Sequence, residues 1–221
     1  MRLGIMGGTF DPIHYGHLVA AEEARAQLGL DLVMFVPCRQ PPHKKSYQVT
    51  DAEHRYAMAV CATCTNPYFV ASRIELERPP PSYTMDTLRQ LHAKCPSAEL
   101  LFITGADAVR ELLTWREPEQ VVALCRLVAV TRPGYDLAGL ERELGDLARE
   151  VSTIEAPGVN ISSTQMRERV AQGRPIKYLT PSAVAAYIVK HGLYRGDDHP
   201  WGKGGKQGCP SPSTSGTCRR V

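Results

Sequence analysis

Apolar and polar positions alternate along this chain in short blocks of two kinds. RLGIM (2–6) is a brief apolar run closed by Gly7-Gly8 and reads as a buried strand. From about Tyr15 to Leu28, Leu18, Ala21, Ala24, Arg25 and Leu28 recur at helical spacing. Only Arg25 breaks that apolar face, and Gly29 supplies a C-terminal cap. LVMFVP (32–37) predicts a second buried strand. RQPPHKKSYQV (39–49) has no periodicity and predicts a mobile loop, after which Thr50 and Glu53 have capping-box spacing for a new helix. The alternation then continues with a strand over 68–77, a helix over 84–94 and a strand over 99–105. Two short helices (106–113 and 117–125) follow, then a strand over 126–132 and an amphipathic helix over 137–150. A strand over 151–156 and helices over 163–173 and 182–192 complete it. Apolar strands in strict turn with helices predict an α/β fold, a doubly wound parallel sheet covered on both faces, in a single domain over 1–196.

From about residue 197 the pattern stops. Gly, Ser, Pro and Lys dominate to residue 221, and a disordered, low-complexity tail is expected there. No internal repeat is present. Asp197 and Asp198 stand in that tail against Lys203, Lys206, Arg219 and Arg220, so most of the net charge of +3 lies in it. The near-neutral body lacks the dense basic patch that a nucleic-acid partner requires. No apolar run reaches membrane-spanning length, and the first residues lack the form of a secretory signal, so no membrane partner and a cytoplasmic location are expected. The seven cysteines are irregularly spaced and do not read as a disulfide scaffold. Cys61 and Cys64 form a C-x-x-C inside a helical stretch, without a second pair, and are read as helix residues rather than zinc ligands. Nothing in the sequence fixes oligomeric state, and a homo-oligomer stays open.

Chemistry concentrates in MGGTFDPIHYGHL (6–18). In a doubly wound sheet, ligands bind beyond the carboxyl ends of strands, and this stretch joins the first strand to the first helix. Gly7 and Gly8 allow close backbone approach, and Asp11-Pro12 shapes the turn. The helix N-terminus presents unpaired N–H groups and partial positive charge. His14 and His17 lie one helical turn apart with Gly16 between them, so both imidazoles can donate to phosphate oxygens. Neither G-x-G-x-x-G nor the P-loop motif is present. A metal site is not assigned, because two histidines without a nearby carboxylate or cysteine are a weak ligand set. Near the other end, NISSTQMRERV places Ser162, Ser163 and Thr164 at a helix start with Arg167 one turn in. Taken alone that is an ordinary cap with a surface arginine. Beside the first stretch it reads as a second phosphate-facing helix end.

The two stretches together resemble the nucleotidyltransferase superfamily. GGTFDPIHYGH is similar to its T/H-x-G-H signature, and ISSTQMR (161–167) to its I-S-S-T-x-x-R signature. PPHKK (41–45), ELERPPPSYTMDTL (75–88), FITGADAVRELLTW (102–115) and TRPGY (131–135) narrow the likeness. Over about residues 1–195 the chain resembles the bacterial nicotinate mononucleotide adenylyltransferase family. The resemblance implies a Rossmann-like nucleotidyltransferase fold. The implied reaction joins ATP to nicotinate mononucleotide, giving nicotinate adenine dinucleotide and pyrophosphate. It makes His14, His17 and Arg167 the catalytic set. It assigns the ATP and its phosphates to Gly7, Gly8, Thr9, Phe10, Gly16, Lys44, Lys45, Gly105, Asp107, Ile161, Ser162, Ser163 and Thr164. Within that set Asp107 takes a ribose hydroxyl, and Thr9 stands on the side of the acceptor phosphate. Tyr83, Thr84, Trp115 and Arg132 take the pyridine nucleotide. A Mg²⁺ ion bridging phosphate oxygens and water is implied, with no protein ligand. Two alternatives remain at this stage. One is the same chemistry on nicotinamide mononucleotide or phosphopantetheine; the other is a nucleotide sensor without turnover. All of these readings require the two helix starts to meet on one side of the sheet.

Overall fold

The computed structural model describes residues 1–41 and 48–195. Lys44, Lys45 and the expected tail over 197–221 lie outside the described residues. Within them, β1 (Arg2–Gly8), β2 (Leu32–Pro37), β3 (Phe69–Ala71), β4 (Glu99–Gly105), β5 (Arg126–Thr131) and β6 (Val151–Glu155) form one sheet. Its order is β3-β2-β1-β4-β5-β6, and every neighbouring pair is parallel. This is the order of a doubly wound sheet, in which the chain winds outward from β1 one way and then, from β4, the other.

The helices are α1 (Tyr15–Leu28), α2 (Ala52–Thr63), α3 (Thr84–Lys94), α4 (Ala106–Arg110), α5 (Pro118–Leu124), α6 (Leu137–Leu144), α7 (Ser163–Ala171) and α8 (Ser182–His191). Side chains of β4 alternate between the two faces: Leu101 and Ile103 join Ala21, Met58, Met166 and Ile188 in one core layer. Leu100 and Phe102 join Leu88, Val109, Val121 and Leu140 in the other. One layer therefore packs α1, α2, α7 and α8, and the other packs α3 to α6. That burial on both faces explains why the strands read as continuous apolar runs. Gly4 keeps the first layer close to the sheet. A Cβ there would stand 2.8 Å from the ends of both Leu30 and Ile103.

Four local expectations are corrected. The strand expected over 68–77 stops at Ala71. Ser72–Glu77 leaves the sheet in turns, with Arg73 paired to Glu53 at 2.7 Å and Glu75 directed inward. The capping residue of α2 is Asp51 rather than Thr50; its carboxylate accepts the Glu53 N–H at 2.8 Å. The helix expected over 137–150 breaks at Gly145 (φ 57°) and continues as a 3₁₀ turn over Gly145–Glu150. The helix expected over 106–113 ends at Arg110, and a 3₁₀ turn covers Leu112–Thr114. Arg25, the odd residue on the α1 stripe, is held by Glu22 at 2.5 Å and lies 4.3 Å over the Tyr68 ring. Cys61 lies in α2 and Cys64 at its C-cap. Gly29 does cap α1, in the left-handed region at φ 61°. Gly29→Ala is therefore expected to lower unfolding free energy by about 1 kcal/mol, read by urea denaturation.

Candidate active site

The winding direction reverses between β1 and β4, so their carboxyl ends diverge from one crevice. Two cavities open there. One, of about 440 Å³, is lined by Gly7, Gly8, His14, Gly16, His17, Gly105, Asp107, Arg132, Ile161 and Ser162, among others. The other, of about 230 Å³, is lined by Thr9, Glu75, Tyr83, Thr84, Trp115 and Arg116, among others. Gly7, Gly8 and Thr104 belong to both, so the cavities meet across the ends of the two central strands. A Cβ on Gly7 would stand 2.9 Å from the Phe102 ring. The two helix starts that the sequence pairs do meet on one side: Ser163 Oγ donates to Pro12 O at 2.9 Å.

His14 is the N-cap of α1 and is buried, and its N–H donates to Nδ1 of His17 at 3.2 Å. That bond places the proton of a neutral His17 on Nε2, making Nε2 its donor. The two rings lie 3.8 Å apart, centroid to centroid, and the Phe10 ring meets His17 edge-on at 5.1 Å. Gly16 makes room for this pair, since a Cβ there would stand 3.0 Å from His14 Nδ1. Burial brings the His14 imidazole down from 6.5 to about 4, so it is neutral at ordinary pH. Phe10 sits in the left-handed region (φ 50°) with its ring in the core against Phe35. Its side chain supports His17 and is not among the residues lining the cavity.

The loop between β1 and α1 is held through its carbonyls. Thr9 O accepts from Arg55, Asp11 O from Arg167, Pro12 O from Ser163 and Ile13 O from Thr180, all at 2.8–2.9 Å. Arg55 is fully buried and also donates to Thr50 O (2.7 Å) and Arg39 O (3.0 Å), tying the β1–α1 loop to both ends of the β2–α2 connection. Neither Arg55 nor Thr180 is legible as a site residue in the sequence. The nearest signal is an arginine on the apolar face of an otherwise helical YAMAV stretch.

At α7, Ser162 forms the capping box the resemblance does not require: its Oγ accepts Gln165 N–H at 3.2 Å, and Gln165 Oε1 accepts Ser162 N–H at 3.3 Å. Ser162 and Ile161 line the larger cavity. Ser163, Thr164 and Arg167 are not among its lining residues. Their polar groups bond to protein instead, with Arg167 donating to Asp11 O and, at 3.3 Å, to Thr164 Oγ1. Of the three hydroxyls, Ser162 caps α7, Ser163 braces the β1–α1 loop and Thr164 meets Arg167.

In the smaller cavity, Tyr83 is the N-cap of α3 and Thr84 its first residue. Trp115 stands edge-on to Phe102 at 5.7 Å, and the Arg116 guanidinium lies 5.0 Å over the Tyr83 ring. Glu75, unforeseen as a site residue, is a buried carboxyl on this wall. Burial pushes its pKa up, and the Thr87 hydroxyl bonds it at 2.5 Å. Arg78 donates to that hydroxyl (3.0 Å) and to Tyr83 O (3.3 Å), linking Glu75 to the start of α3. Arg132 does not join this group. It lines the larger cavity beside Asp107, 3.5 Å away, apart from Tyr83, Thr84 and Trp115.

A doubly wound sheet with two helix starts brought together at its switch point is the arrangement of the nucleotidyltransferase class. In agreement, the family model described as cytidylyltransferase-like matches residues 5–169. A protein of Arthrobacter sp. (strain FB24) is 51% identical over 195 residues, 88% of this chain and 92% of its own. One of Moorella thermoacetica is 52% identical over 199 residues, again 88% and 92%. Both are described as probable nicotinate-nucleotide adenylyltransferases. The chain belongs to the nicotinate-nucleotide adenylyltransferase family. The fold also matches that of a Plasmodium falciparum nicotinic acid mononucleotide adenylyltransferase complexed with NaAD. That match has a TM-score of 0.72 at 20% identity, over 87% of this chain and 97% of that one.

The buried His14 makes a prediction about pH. It takes a proton near pH 6.5 in the unfolded chain but only near pH 4 when folded, so unfolding binds a proton between those values. Stability present above pH 6.5 should therefore be lost as pH falls toward 4. In His14→Asn the melting temperature should fall less over that window, as followed by circular dichroism; equal slopes would remove the burial effect.

Proposed function

We infer that this chain transfers the adenylyl group of ATP to nicotinate mononucleotide, forming nicotinate adenine dinucleotide and pyrophosphate, a step of NAD biosynthesis. One observation carries the reading at the level of geometry. Two cavities of different character meet over Gly7, Gly8 and Thr104, so two ligands bound in them face each other across a single point. The larger has the features of a triphosphate site: a helix N-terminus, two imidazoles and Ser162 at the start of α7. The smaller offers a flat indole, the first-turn N–H groups of α3 and the Arg116 cation, which suit a planar ring bearing a carboxylate.

An oxygen of the acceptor's phosphate attacks the α-phosphorus in line. A new P–O bond forms as the bond to the bridging oxygen breaks, and pyrophosphate carries that electron pair away. No protein nucleophile takes part. The chain supplies position and charge stabilisation. His17, with its proton on Nε2, donates to the phosphates; His14 adds a second imidazole beneath it. Arg167, tethered to Asp11 O, stands at the start of α7 as the guanidinium for the leaving phosphates. Asp107 is the carboxylate for a ribose hydroxyl, with Arg132 beside it. Asp107 is the one carboxylate among the residues lining the larger cavity, and among the described residues no cluster of three or more His, Cys, Asp or Glu could hold a metal ion. Asp107 is the one wall carboxylate that could approach a Mg²⁺ arriving with the nucleotide, and such an ion would offset phosphate charge. Among the described residues no helix is long and apolar enough to cross a membrane.

Purified protein with ATP and Mg²⁺ should release pyrophosphate with nicotinate mononucleotide and not with phosphopantetheine. Release with phosphopantetheine alone, or ATP binding without release under any acceptor, overturns the reading. His17→Ala is expected to lower kcat by about 100-fold or more, the scale for losing one preorganised donor. Trp115→Ala should raise KM for nicotinate mononucleotide by about tenfold while leaving KM for ATP within about twofold, in steady-state assays.

A further inference from the structure

Asp11 is almost completely buried, yet both of its carboxylate oxygens are engaged. Oδ1 accepts the Tyr194 hydroxyl at 2.7 Å, and Oδ2 accepts the Thr50 N–H at 3.2 Å. The backbone carbonyl of the same residue accepts Arg167 Nη1 at 2.8 Å. Three remote parts of the chain thus converge on one residue of the phosphate loop: the segment after α8, the loop before α2, and α7. Tyr194 reaches it from far along the sequence, at the end of the described chain, and holds a left-handed backbone (φ 62°) just past the Gly192 cap of α8. Burial and the neighbouring Asp11 carboxylate push the Tyr194 phenol well above its ordinary range, so it is a hydrogen-bond donor at every working pH.

We propose that Tyr194 is a positioning residue for ATP binding, acting through Asp11 on Arg167. The inference rests on the phosphate role given to Arg167 above. A buried carboxylate needs donors. With the Tyr194 hydroxyl in place, Oδ1 is occupied, and Arg167 meets Asp11 at its carbonyl. Without it, Oδ1 is a buried acceptor short of a donor, and Arg167, already bonded to the carbonyl of the same residue, is a nearby replacement. A guanidinium drawn onto that carboxylate takes on a negatively charged partner from Asp11 in place of its carbonyl. It is then a weaker partner for a triphosphate. Arg167 therefore depends on a hydroxyl that touches neither substrate. The C-terminal segment is built into the ATP site by two further bonds, Thr180 Oγ1 to Ile13 O at 2.8 Å and Tyr15 N–H to Leu179 O at 3.1 Å.

The test is a double-mutant cycle on the affinity of a non-hydrolysable ATP analogue with Mg²⁺, measured by titration calorimetry on the full chain. The four proteins are the unaltered chain, Tyr194→Phe, Arg167→Ala and the double variant. Tyr194→Phe alone is expected to weaken binding about tenfold, the scale of one hydrogen bond to a charged group. In the Arg167→Ala background the same change should alter Kd by less than about twofold, because the group it acts through is gone. Tenfold losses in both backgrounds would mean a general structural role and would overturn the proposal. So would unchanged affinity in Tyr194→Phe alone, even with a lowered melting temperature. Pyrophosphate release by the unaltered chain is recorded beside these data: its absence would sink the adenylyl-transfer reading, while the cycle would still report on the coupling between Tyr194 and Arg167.

Discussion

The site depends on the anchoring of one loop by its carbonyls. From Thr9 to Ile13, the acceptors at Thr9, Asp11, Pro12 and Ile13 are each claimed by a side chain from another element. A peptide group is planar, so fixing its C=O also fixes the N–H of the next residue. The Thr180 bond to Ile13 O orients the Ile13–His14 peptide, whose N–H donates to His17 Nδ1, and that bond in turn sets which ring nitrogen of His17 is the donor. A hydroxyl near the C-terminus thus decides a tautomer near the N-terminus. Donors fixed before the ligand arrives need no reorganisation when charge develops, which is the main source of electrostatic catalysis.

Such a loop asks a great deal of its supports, and the sheet order explains how they reach it. Because β1 is central, the loop after it is flanked by β2 and its crossover α2 on one side and by β4 on the other. α7 and α8 pack in the same core layer as α1, which brings Ser163, Arg167, Thr180 and Tyr194 to its start. Arg55 serves from α2. Among the described residues no carboxylate lies at salt-bridge distance from its buried guanidinium, and three backbone carbonyls take its donors. Removing such a residue would leave those carbonyls unsatisfied as well as a cavity, so its role in stability and its role in shaping the site cannot be separated.

The parts of this arrangement that the sequence reveals are those written locally. His14, Gly16 and His17 lie within four residues, and Ser162 to Arg167 within six, so helical geometry alone puts each set at one helix start. The central strands are legible because burial on both faces makes them apolar throughout. Residues 68–77 mislead because VASRIELE alternates as an edge strand would, whereas Arg73 and Glu75 follow a turn that pairs one with Glu53 and buries the other. Arg132 is readable as a rim residue, but position past a strand does not say on which side of the switch point a side chain falls. Arg55, Thr180 and Tyr194 act on residues 46, 167 and 183 positions away, and nothing in their own neighbourhoods marks those partners.

The charge of the phosphate cavity follows from the same economy. A lysine in place of His14 would need an internal carboxylate to be tolerated at that depth, and the carboxylate would repel a triphosphate. A buried imidazole avoids both, since with a pKa near 4 it rests neutral and carries a donor without a counterion. An arriving polyanion favours its protonated form, so the ring gains positive charge in proportion to the negative charge placed beside it. Arg167, the permanent cation of the set, donates to the backbone carbonyl of Asp11. On the cavity wall Asp107 and Arg132 offset each other, and the two imidazoles leave room for charge to be added rather than fixed in advance. That matches a body of near-zero net charge whose substrates are both anions.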